Sequence, residues 1–112
     1  MKVRDFRDVP PREEIEGVNL RLVISSEDGA STFVMRVLEV EPGHSTPSHE
    51  HNWDHEVFVL AGEGAVMSGG GMTPLAEGSV VFVPANEHHQ FVNSGAGVFR
   101  FICCIPRVEE SP

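Results

Sequence analysis

The stretch "HEHNWDHE", His49 to Glu56, sets three histidines and two glutamates within eight residues. Alternate residues of a strand share a face, so His49 and His51 can reach one ion while Glu50 points away. Continuing in steps of two passes Trp53 and arrives at His55, and Glu56 takes the opposite parity. A regular strand therefore favours His55 as the third donor. A loop or bulge at "NWD" would shift the register by one residue, and Glu56 is then the alternative to His55.

Outward from this cluster the chain reads as short apolar runs broken by turn residues. "LRLVIS" (20–25), "TFVMRVLEV" (32–40), "HEVFVLAG" (55–62), "EGAVM" (63–67), "SVVFVPA" (79–85), "QFVNSGAG" (90–97) and "VFRFICCIP" (98–106) are the candidate strands. Their spacing of roughly 8 to 12 residues suggests a sandwich or barrel. "SGGG", Ser68 to Gly71, reads as a hairpin turn, because a phosphate-cradling loop would want a following helix and a lysine. Residues 1–19, with two prolines and no sustained period, are expected to be an N-terminal arm or edge strand, and residues 20–112 a single domain.

Composition narrows the function. The chain of 112 residues is 40% apolar with 11 Gly and 8 Pro, which suits one turn-rich β domain with one core. A formal charge of −9 opposes binding to nucleic acid or anionic membrane, leaving a small molecule or another protein as partner. The charged start "MKVRDFRDVPPREE" and the lack of a long apolar stretch predict a cytoplasmic protein. Cys103 and Cys104 are adjacent and would point to opposite strand faces, so a structural disulfide between them is disfavoured. Apolar residues on both parities of "EVFVL" leave Phe58 and Leu60 outward and in need of cover, which predicts a homodimer.

Two spaced motifs over residues 33–106 resemble those of the cupin superfamily, the small jelly-roll barrels. The first runs from Gly43 through His49 and His51 to Gly62, and with its three-residue spacing the slot that usually holds glutamate is filled by His55. The second runs from Gly78 through Pro84 and His89 to Asn93, with Asn86 where glycine is usual. Asparagine tolerates positive φ better than most residues, so that turn can survive. His44 and His88 fall outside both frames and read as bystanders.

The resemblance implies an all-β jelly-roll cupin barrel, also called a double-stranded β-helix, with one divalent metal ion on His49, His51, His55 and His89. Manganese or iron is expected first, with nickel, cobalt, copper or zinc as further candidates. Four neutral donors would leave the full +2 on the ion and two open positions for a bidentate anion, or for a substrate with dioxygen. The expected activity is that of a metal-dependent oxygenase on a small anionic or chelating organic substrate. The alternatives are a redox-inert isomerase or lyase and a non-catalytic ligand-binding or sensing module. Parity places Phe99, Phe101, Cys103 and Ile105 on one face of the last strand, with Arg100 turned toward solvent or a partner. Phe91 and Asn93 follow His89 on its parity, so Trp53, Phe91, Asn93, Phe101 and Cys103 are the expected pocket residues.

Overall fold

In the last strand buried and half-buried residues alternate without a break from Phe99 to Pro106, the period expected of a strand with one face on the core. The structure, a computed structural model, describes residues 1–107. Residues 108–112, which the sequence reading assigns to the end of the domain, lie outside the described residues. Among the described residues nine strands run in order: β1 (Arg12–Ile15), β2 (Val18–Ile24), β3 (Phe33–Val40), β4 (His55–Ala61), β5 (Gly64–Ser68), β6 (Gly71–Leu75), β7 (Val80–Val83), β8 (Gln90–Asn93) and β9 (Phe99–Pro106). A six-stranded sheet of order β1-β2-β3-β9-β4-β7 faces a three-stranded sheet of order β6-β5-β8, all pairs antiparallel. This is the jelly-roll barrel, and the helical elements given among the described residues are two short 3-10 turns, Phe6–Asp8 and Ser26–Asp28.

The core is built by register. Val40 faces Phe99 across β3 and β9, Leu38 faces Phe101, Arg36 faces Cys103 and Val34 faces Ile105. On the other side of β9, Val59 of β4 pairs with Phe101 and Val57 with Cys103. The Phe101 ring lies 4.8 Å from that of Phe91 and 5.2 Å from that of Phe99, so the aromatic cluster joins the two sheets. Burying each of these large side chains contributes about 1.5 to 3 kcal/mol.

Two turns are set by backbone chemistry. Ser68–Gly71 closes the β5–β6 hairpin with Gly69 at φ 59° and Gly70 at φ 81°, the double positive φ of a type I′ turn. Asn86 adopts φ 68° and so takes the left-handed conformation that its motif's usual glycine would supply.

The outer face of the large sheet differs from expectation. Arg100 lies on the outer face, as expected, but is only partly open to solvent. Its Nε donates to Glu39 Oε2 at 2.9 Å, Arg21 Nε donates to Glu39 Oε1 at 2.8 Å, and Phe6 lies under both guanidiniums. Burial works against the Glu39 carboxylate, but the two arginine hydrogen bonds outweigh it and hold its pKa below the usual range. Leu60 is half-buried in a groove shared with Met1, Val3 and Phe6. The N-terminal arm thus covers part of the surface that the sequence reading left for a second subunit, whereas β1 forms the sheet edge.

Candidate metal centre

Three separate segments bring the histidines together. His49 and His89 form a two-residue antiparallel bridge in which each N–H donates to the other's carbonyl, at 3.1 and 2.9 Å. His55 opens β4 and points inward with Val57 and Val59, while Glu56 is exposed on the outer face. His51 lies in the connecting loop, which bends at Asn52 and Trp53. The loop is fixed by the second motif: Asn86 N–H donates to the His51 carbonyl at 2.6 Å, and Ala85 N–H donates to Asp54 Oδ1 at 3.0 Å. The positive φ at Asn86 lets the 84–86 turn meet the loop that carries His51.

The rings close a four-sided figure. Centroids are 4.4 Å apart for His49–His51, 5.4 Å for His51–His55, 4.9 Å for His55–His89 and 5.1 Å for His89–His49. An imidazole bound at about 2.1 Å carries its centroid about 3.2 Å from the ion, so neighbouring ligands at tetrahedral or octahedral angles have centroids about 4.5 to 5.2 Å apart. The spacing fits. Among the described residues, however, no three histidine, cysteine, aspartate or glutamate side chains are already set as a metal cage. The backbone gathers the rings, and binding requires their nitrogens to turn onto one point, a rotation about side-chain torsions.

Three further observations suit a metal. His55 is 3% exposed, and its Nδ1 is buried with no hydrogen-bond partner among the described residues; such an orphan costs stability unless something takes its lone pair. His89 Nδ1 lies 2.9 Å from the Glu87 carbonyl, which can only accept, so the proton sits on Nδ1 and Nε2 keeps its lone pair. Burial is the largest influence on His49 and His55, helped by the nearby ring and Arg36 charges, and pushes His49 down to about 4 and His55 down to about 3. At neutral pH both are uncharged donors.

The rings form one wall of a cavity of about 330 Å³ whose floor is Val18, Leu20, Leu38, Phe91 and Phe101. Of the residues expected in the pocket, Phe91, Phe101 and Cys103 line this cavity, and Trp53 and Asn93 do not. Trp53 stacks on His51 at 4.5 Å with planes 10° apart, so it braces the His51 ring from behind. The Asn93 carboxamide donates to the Val40 and Gly97 carbonyls, both at 2.8 Å, and accepts from Gly95 N–H; it fixes the β8–β9 connection. His88 is outside, with Ser48 Oγ at 2.6 Å from its Nε2, and His44 packs beside Gly17.

Two charged lining residues escaped the sequence reading, Arg36 and Glu14. Arg36 shares inward parity with Val34, Leu38 and Val40, a signal present in "TFVMRVLEV". Glu14 arrives from β1, where no periodicity announces a face.

Comparison with known proteins agrees with the geometry. The model of the Cupin domain family matches residues 36–105. The polyketide cyclase RemF from Streptomyces resistomycificus is 32% identical, with a TM-score of 0.88 over 96% of this chain and 80% of that one. Protein SchB of Streptomyces halstedii is 33% identical over 91 residues, which is 80% of this chain and 66% of SchB, just under two thirds of its length. A predicted oxalate decarboxylase from Thermotoga maritima, 23% identical, superposes with a TM-score of 0.83 over 94% of this chain and 98% of its own, a likeness of fold alone. The family match from β3 to β9, the jelly-roll topology and the motif histidines gathered at one cavity wall make this chain a member of the cupin family.

Proposed function

We propose that the chain binds one divalent ion through His49, His51, His55 and His89 and acts on an enolisable, conjugated 1,3-dicarbonyl compound of polyketide type, promoting ring closure. The observation that carries the ligand set is the wall of four rings with the buried, unpartnered Nδ1 of His55 among them. The substrate class is supported by the likeness to RemF, a polyketide cyclase, along 96% of the chain. Manganese or iron is the first choice of ion, with zinc, nickel, cobalt or copper as further candidates for an all-imidazole set. When bound, the ion supplies Lewis acidity that stabilises an enolate.

The chain's own residues account for the rest. Depressed pKa values keep His49 and His55 neutral, so neither would repel the ion or reduce the positive charge it presents to an anionic substrate. Leu20, Leu38, Phe91 and Phe101 give a planar apolar body a dry floor. Glu56, being exposed on the far face of β4, is not available as a base inside the cavity. A methylene between two carbonyls is acidic enough, once its enolate is stabilised, for its proton to pass to water without a carboxylate base in the cavity.

Metal analysis of protein purified without a nickel column, followed by anaerobic incubation with poly-β-ketone analogues, tests this reading. Metal-dependent product in the absence of dioxygen supports it; absence of metal at purified stoichiometry overturns it. The oxygenase expected from the sequence is the second reading, favoured by the same neutral donor set, and oxygen uptake coupled to substrate loss would select it. A homodimer remains part of the proposal: Phe58, Val80 and Phe82 are 46%, 73% and 59% exposed on the outer face of β4 and β7, beyond the arm's cover. A monomeric mass at micromolar concentration would remove it.

A further inference from the structure

Of the four rings at the cavity wall, that of His51 is carried by irregular chain. His49 and His89 are joined by their two-residue bridge and His55 belongs to β4, whereas His51 sits in the loop that bends at Asn52 and Trp53. Asn86 N–H holds the His51 carbonyl, which fixes the backbone but leaves two side-chain torsions to be set. The sides of the ring figure that meet at His51, 4.4 Å to His49 and 5.4 Å to His55, are the shortest and the longest of the four. Its ring is therefore the least evenly placed.

Trp53 stands where it can set those torsions. Its indole lies 4.5 Å from the His51 ring with planes 10° apart. His51 lines the cavity and Trp53 does not, so the indole occupies the side of the imidazole turned away from the other donors. Trp53 packs in turn against the buried core. Its Nε1 is buried with no hydrogen-bond partner among the described residues, so packing rather than hydrogen bonding holds the indole. That N–H costs stability where phenylalanine would not, and the larger ring supplies instead a broad flat surface for the imidazole.

We propose that Trp53 is a positioning residue for the metal centre: stacked on His51, it closes off ring orientations directed away from His49, His55 and His89, so fewer torsional states are lost when the four imidazoles meet an ion. The assignment rests on the metal-centre reading above and adds a residue outside the donor set. An indole N–H is a donor only, so Trp53 acts through His51 and not as a ligand itself.

The test is a double-mutant cycle read by calorimetric titration of metal-free protein with manganese and, separately, zinc. Trp53→Leu keeps an apolar side chain against the core but removes the flat ring, and it should weaken binding by about threefold to tenfold, the range of one aromatic contact. Trp53→Phe should recover most of that loss. In a His51→Ala background the same Trp53→Leu change should alter affinity by less than about twofold, because the residue through which it acts is gone. Independently of metal, the His51 ring protons of wild type should resonate upfield under the indole, and Trp53→Leu should remove that shift. Melting curves establish that the variants fold, and Trp53→Met takes the place of Trp53→Leu if the latter does not. Unchanged affinity in Trp53→Leu, equal weakening with and without His51, or no upfield shift in wild type overturns the positioning assignment and leaves the metal-centre reading standing. If wild type binds neither ion, the metal-centre reading fails and this assignment fails with it.

Discussion

Replacing His55 with leucine should have opposite effects on the two forms of the protein. His55 is 3% exposed, sits between Val83 across the β4–β7 ladder and the other rings, and leaves Nδ1 without a partner among the described residues. In metal-free protein that orphan is a liability. An unsatisfied buried polar atom costs about 1 to 3 kcal/mol, and an apolar side chain of similar size removes the cost. Since the cavity beside it is partly open, the lower half of that range is appropriate. Unfolding entropy of about 2.1 cal/mol/K per residue gives about 0.24 kcal/mol/K for 112 residues, so about 1 to 2 kcal/mol raises the midpoint by about 4 to 8 °C. With metal the sign reverses. Wild type gains about 2.7 kcal/mol at a free ion concentration one hundred times its dissociation constant, equivalent to about 11 °C, and the variant with three imidazoles loses most of this. The assay is a pair of thermal melts for each protein, in chelator and in excess manganese. The two proteins should exchange rank between the conditions. If His55→Leu melts below wild type in chelator, His55 is a structural histidine with polar contacts of its own, and the reasoning from the orphaned nitrogen fails.

Other consequences follow from the same site. Acidification should destabilise the metal-free protein: with folded pKa values near 4 for His49 and 3 for His55 against an ordinary value of about 6.5, the unfolded chain takes up protons first. Stability is therefore complete above about pH 6.5 and falls as pH drops toward 4, and a flat urea midpoint across that window would contradict the burial of these rings. Asn86→Val should cost about 1 to 3 kcal/mol because a β-branched residue is strained at φ 68°. The same change should weaken metal binding through His51 and His89, whereas Asn86→Gly should do neither, and paired melts and metal titrations distinguish the variants. His55→Glu should retain metal but reduce affinity for an anionic 1,3-dicarbonyl ligand by about tenfold or more, since one nearby charge is worth on the order of 1 to 4 kcal/mol at protein dielectrics. Unchanged ligand affinity in that variant would mean that the anion does not sit on the ion.

The sequence carried much of this because β4 and β9 are regular strands with one buried face. Alternation in "VFRFICCIP" places Phe101 and Cys103 inside, and alternation from Val57 and Val59 places His55 with them. The stepwise count from His51 to His55 reached the right face by a route the chain does not take, since Asn52 and Trp53 bend out of any strand. In β3, Arg36 and Glu39 have opposite parity, so one of them had to face inward; Glu39 takes the outer face, where Arg21, Arg100 and Phe6 cover it. Asn93 had the right parity for the cavity, but parity does not reveal that the Val40 and Gly97 carbonyls lie within reach of its amide. Those contacts join residues far apart in sequence, beyond what local pattern encodes.

The placement of the donors ties the site to the architecture. His55 belongs to the six-stranded sheet, while His89 immediately precedes β8 of the three-stranded sheet and is bridged to His49. An ion held by this set would tie one sheet to the other at the end of the barrel where the Phe91–Phe101 contact already links them, so part of its binding free energy would act as folding free energy. The hydrogen bonds that gather the rings, from His49 to His89 and from Asn86 to His51, are backbone bonds and need no metal to form. What binding must order is a few side-chain torsions rather than a loop, so most of the entropy of assembling the site is already met by the fold. Affinity for the ion should then respond strongly to changes in the 84–86 turn and weakly to changes in the apolar floor, whereas affinity for the organic substrate should respond to the floor.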